Sequence, residues 1–131
     1  EHIIGSRKFL ILFFVSGLAA SFASLPFYTM VLGASGAIFG ILGMLGILRP
    51  KLVVWLYSIP MPMIIALFVW AIGDILGIYA PSGTANIAHL GGLGVGLIAG
   101  IYYRKQFREK RNKREGVHID EGKVKEWENT F

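Results

Sequence analysis

The sequence predicts an all-α, polytopic membrane bundle, and three observations carry that expectation. Between Phe9 and Tyr103 the only Asp, Glu, Lys or Arg residues are Arg49, Lys51 and Asp74. Mean hydropathy over the 131 residues is +0.59, and uncharged runs of this length cannot be the core of a soluble domain at this chain length. The basic residues also fall where alternating spans would place them on one side.

The first helix is expected over about 8–25, stopped by Pro26. The second runs from Ser35 to Leu48, before Arg49-Pro50. The third occupies about 61–78, after Pro60-Met61-Pro62, and the fourth about 85–103. Residues 1–103 thus form the membrane core and 104–131 a basic tail. With this topology Arg7-Lys8, Arg49-Lys51 and the run Arg104 to Arg114 share one side, while 26–34 and 79–84 carry no lysine or arginine. That is the positive-inside pattern, so the basic side and the C-terminus are expected in the cytoplasm of a plasma or inner membrane. With seven basic residues against Glu109, the run accounts for the whole of the net charge of +5. Its position directly after an apolar helix favours anionic lipid over nucleic acid as partner. Residues 115–131 read as a short amphipathic helix on the membrane or as a disordered segment. Glu1 to Lys8 is not a signal peptide, and the chain is expected to be a C-terminal portion of a longer protein.

The second helix is short for a span. Its 14 residues reach roughly 21 Å, against a hydrocarbon core of about 30 Å. Its start must therefore lie below the outer surface, where irregular backbone survives only beside protein or a water-filled cavity. At that start stands Gly33-Ala34-Ser35-Gly36. On the fourth helix, which runs in the same direction, stands His89, the only histidine within the apolar segments. Ser35 precedes Arg49, and His89 precedes Arg104, by nearly equal helical rises of roughly 21 to 23 Å. The two residues are expected at one depth. Small-residue stripes, Gly36, Gly40 and Gly43 on one helix and Gly92, Gly96 and Gly100 on the other, would let these helices approach closely.

The chemistry follows from the residue types. A serine hydroxyl is a weak nucleophile and needs a base, for which imidazole is well matched near neutral pH. At a helix start the Ser35 amide and its neighbours lack intrahelical partners and can stabilise a developing oxyanion. Gly33 and Gly36 would let a substrate backbone come near. Asp74, the one intramembrane carboxylate, has two open roles: orienting His89 as a third member, or tying helices together. The second is favoured, because no spacing fixes its distance from His89. With no cysteine in the chain, thiolate metal sites and disulfides are excluded, and no cofactor or metal is expected.

Together these residues resemble the rhomboid family of intramembrane serine proteases. Gly33-Ala34-Ser35-Gly36 is similar to the family's serine motif, and Ala88-His89 followed by Gly92 and Gly96 to its histidine helix. Asn86 and the Gly5-Ser6-Arg7 lead-in are also similar, and the resemblance covers about residues 1–103. It implies the last four helices of a six-helix bundle and a Ser35–His89 dyad cutting transmembrane protein substrates. It also implies an aromatic residue, Phe39, packed on the histidine ring. The family's His-x-x-x-Asn pair and Trp-Arg pair are absent, which implies missing N-terminal helices and a fragment weak or inactive by itself. Two other classes compete: a non-catalytic rhomboid-like binder of transmembrane clients, and, ranked last, a transporter fragment with an ion-coupling Asp or His.

Overall fold

The computed structural model describes residues 1–29, 33–80 and 85–116, with side chains described through residue 109. Four helices are present among them: α1 (Ser6–Ser24), α2 (Ser35–Leu48), α3 (Met63–Ile78) and α4 (Asn86–Gly116). Of the segment 115–131, expected as a short amphipathic helix or a disordered stretch, residues 115 and 116 end α4 and the remainder lies outside the described residues.

The bundle is turned inside out relative to a water-soluble protein. On α1 the buried positions are Leu12, Ser16, Ala20 and Ser24. Its large side chains point outward, with Phe14 62%, Leu18 60% and Phe22 70% exposed, while Ser16 is 0% exposed. In water this arrangement would leave the driving force for folding unused. In lipid, apolar burial does not favour one helix face over another. Small residues pack inside because they allow close approach. Two of the serines bond locally, Ser21 Oγ donating to the Gly17 carbonyl at 2.9 Å and Ser24 Oγ to that of Ser21 at 2.8 Å, while the buried Ser16 Oγ has no partner among the described residues.

α2 is the central element, packed most extensively on α4 and then on α1, with α3 against α2 and α4. Two apolar clusters complete the interior. Ile4, Leu12 and Met44 meet Ile41, Val95 and Tyr103 in one, and Met63, Leu67 and Leu93 meet Phe39, Leu42 and Trp70 in the other. By length and composition, α1 alone among the described helices qualifies as a candidate span, while α2 and α3 are shorter apolar helices.

The all-α expectation needs one correction. Between α2 and α3 stands a two-stranded antiparallel hairpin, β1 (Val53–Leu56) and β2 (Ile59–Pro62), with Val53 opposite Pro62 and Leu56 opposite Ile59. Val53-Val54-Trp55-Leu56 is a β-favouring run, and the two-residue turn Tyr57-Ser58 takes positive φ at both positions, 49° and 66°. The prolines of β2 are tolerated because a two-stranded sheet leaves its outer edge unpaired. The hairpin's base also caps the next helix. The Met63 amide donates to the Leu52 carbonyl at 2.7 Å and the Ile64 amide to that of Pro50 at 3.2 Å, serving two first-turn donors of α3. α4 runs past Tyr103 through the start of the basic tail to Gly116. At 31 residues it measures about 46 Å.

Candidate active site

α2 and α4 touch backbone to backbone. A Cβ built on Gly92 would lie 1.9 Å from the Gly36 carbonyl oxygen, and one on Gly96 would lie 1.9 Å from that of Gly40. A Cβ on Gly43 would meet the Leu93 carbonyl oxygen at 2.8 Å, and one on Gly100 would meet Ile47 Cβ at 2.7 Å. The two stripes therefore face each other in constant register, with no helix between them. On the other side of α2, a Cβ on Gly36 would lie 2.3 Å from Ala20 Cβ, and one on Gly40 2.1 Å from Ser16 Oγ. Glycine is required at these positions by space, not by backbone angle.

This register sets the Gly36 end of α2 against the first turn of α4. A Cβ on Gly36 would sit 3.2 Å from the Ala88 carbonyl oxygen, the residue before His89. Phe39 stacks on the His89 ring, with centroids 4.3 Å apart and planes 7° from parallel. Helical side chains lean toward the N-terminus, so the Phe39 ring covers the turn that begins with Ser35, four residues earlier. Ser35 and His89 thus occupy neighbouring helix starts on one side of the α2–α4 seam. Both are half-buried. Among the described residues, Ser35 Oγ is not hydrogen-bonded to His89.

α3 supplies the other contact to the ring. His89 Nδ1 lies 3.0 Å from Asp74 Oδ1, and the two side chains are only 12% and 9% exposed. Facing an ionised carboxylate, which can only accept, Nδ1 would be the donor, and in a neutral imidazole that arrangement leaves the Nε2 lone pair free. The second oxygen, Asp74 Oδ2, is buried with no partner among the described residues. One turn along α3, a Cβ on Gly77 would lie 2.5 Å from Asn86 Nδ2, so Asn86 packs against this bare stretch of helix. Asn86 is itself buried, at 5% exposure. Asp74 and Gly77 on α3 thus pair with His89 and Asn86 on α4, each pair three residues apart.

The start of α2 carries no side-chain cap among the described residues. Ala34 is its N-cap and offers no side-chain hydrogen bond, so the first amides have no capping side chain. Gly33, just before it, has φ 123°, a conformation that favours glycine. No cluster of His, Cys, Asp or Glu that could hold a metal occurs among the described residues.

The sequence favours helix tying for Asp74, and the fold sets its carboxylate 3.0 Å from His89 Nδ1. Gly77 was overlooked altogether. The matched three-residue spacing of Asp74/Gly77 and Asn86/His89 is the sequence signal that points to Gly77.

An apolar exterior around a small-residue interior, with a serine and a ring-stacked histidine at adjacent helix starts, defines a helical membrane protein with a polar site inside its bundle. The family model described as Rhomboid domain matches residues 1–106. The chain belongs to the rhomboid family. It is 34% identical over 104 residues to "RHOMBOID-like protein 4" of Arabidopsis thaliana, covering 77% of this chain and 26% of that protein. The chain therefore spans about a quarter of the length of the curated relative it matches. No solved structure matches.

Proposed function

We propose that this chain carries the catalytic portion of an intramembrane serine endopeptidase, with Ser35 as nucleophile and His89 as general base. The observation that carries the reading is the fixation of the imidazole. Phe39 holds one ring face and Asp74 holds Nδ1, so the basic Nε2 is the atom left to take the Ser35 proton. Attack on a peptide carbonyl would place the developing oxyanion at the uncapped start of α2, near the Ser35 and Gly36 amides. His89 would then give the proton to the leaving amine as the C–N bond breaks, and a water deprotonated by the same imidazole would hydrolyse the acyl ester and restore the Ser35 hydroxyl. Substrates are transmembrane proteins, cut where their helices unwind near the outer end. The chain is multi-pass, with its basic end in the cytoplasm. Partners are the bilayer and the further helices of the same protein that the resemblance implies.

The test is labelling of the full-length parent protein with a fluorophosphonate probe in detergent, beside its Ser35→Ala and His89→Ala variants. Labelling of the unaltered protein, abolished by the serine change and strongly slowed by the histidine change, is expected. Labelling that persists in Ser35→Ala overturns the assignment. An unaltered protein that takes no probe but still captures transmembrane helices would instead favour the non-catalytic client binder.

A further inference from the structure

The β1–β2 hairpin is unused by the chemistry, yet its surface is unusual. From Leu52 to Pro62 it contains no charged residue. Val54 and Leu56 turn inward, Val54 joining the cluster of Met63, Leu67 and Leu93. The other face is bare: Val53 is 59% and Trp55 73% exposed, with Pro60 opposite Trp55 across the ladder. Tyr57 at the tip is 84% and Ile59 59% exposed. In water such a ribbon would be a hazard, because an uncharged apolar edge invites pairing with other chains. A two-stranded hairpin is also marginal without something to pack on.

Its surroundings indicate what covers it. Arg49 and Lys51, both exposed, stand immediately before β1 at the end of α2. Trp and Tyr beside Arg and Lys is the composition of a membrane–water boundary, where amphipathic rings sit at headgroup level and cations meet lipid phosphate. We propose that the hairpin is a membrane-interface anchor. Its Val53–Trp55–Pro60 face and Tyr57 tip lie in the headgroup–acyl boundary of a phospholipid bilayer, with Arg49 and Lys51 at the phosphates. This rests on the membrane embedding of the family and is independent of catalysis. It gives the capping of α3 a second meaning: the bonds from Met63 and Ile64 tie the start of that helix to an element fixed at the membrane surface.

The chain has three tryptophans, so Trp70→Phe with Trp127→Phe leaves Trp55 as sole reporter. The full chain is reconstituted in phosphatidylcholine–phosphatidylglycerol vesicles, with and without lipids brominated near the top of the acyl chain. Emission shifted to the blue, lost to the brominated lipid and insensitive to aqueous iodide is expected. Red emission quenched by iodide overturns the proposal, as does blue emission that neither quencher reaches, which would mean a protein cover. The absence of native cysteine permits a second probe, a nitroxide on Trp55→Cys. Its relaxation should respond to oxygen more than to a water-soluble nickel chelate, and the reverse order also overturns the proposal.

Discussion

Gly92→Ala tests the backbone contact on which the site depends. Gly92 lies three residues after His89, and an alanine methyl there would sit 1.9 Å from the carbonyl oxygen of Gly36, the residue after Ser35. Real Cβ contacts essentially never fall under 3.0 Å, and the obstacle is backbone, which no rotamer change can clear. The helices must therefore separate or slide by about 1 Å, and overpacking of this kind costs typically about 1–3 kcal/mol. A misplacement of about 1 Å between reacting groups can cost about 10²-fold in rate. The assay pairs the second-order rate of fluorophosphonate labelling with thermal unfolding in the same detergent. Gly94→Ala is the control, because a Cβ there meets nothing within 4 Å. Helix propensity alone would stabilise that variant by about 0.5–1 kcal/mol. Gly92→Ala is expected to unfold earlier and to label about 10²-fold more slowly, with Gly94→Ala unimpaired in both. Equal rates and equal stabilities in the two variants would refute the argument from helix contact.

Asp74→Ala removes the partner of His89 Nδ1, a bond to a charged group worth about 1.5–3 kcal/mol, so labelling of Ser35 should slow by about 10- to 100-fold. Unchanged labelling would return Asp74 to a purely structural role. Phe39→Ala takes away the stacked ring, worth about 0.5–1.5 kcal/mol beyond its buried area; Phe39→Tyr keeps it and should label at nearly the normal rate. Ser58→Gly relieves a non-glycine residue held at φ 66° and should raise stability by about 1 kcal/mol, read by thermal or denaturant unfolding. Gly77→Ala would bring a methyl to 2.5 Å from Asn86 Nδ2 and should loosen α3 from α4, exposing Trp70 to aqueous quenchers.

The legible parts of the sequence were those written in local pattern. The charge gap between Phe9 and Tyr103 marked the helices, and α2 begins and ends where Ser35 and Arg49-Pro50 indicate. The glycine stripes of α2 and α4 announced their own meeting, because spacing of three and four on a helix is spacing on one face. The hairpin was hidden by its brevity: four-residue strands, the second holding two prolines, read as an irregular connection, and a tight turn at Tyr57-Ser58 lacks the usual glycine or asparagine. The extent of α4 was obscured because its hydropathy falls abruptly at Arg104 while its helical backbone continues. The distance between Asp74 and His89 depends on how α3 seats against α4, a tertiary matter that no single-helix pattern records.

The serine and the histidine ride on two helices whose main chains touch, so nothing compressible stands between them. The carboxylate arrives on a third helix that grips the others mainly through side chains. Any movement of α3 alone would unlatch the imidazole while leaving the hydroxyl and its amides in place. In the proposed mechanism, readiness of His89 as base is therefore conditional on how one wall of the bundle is seated.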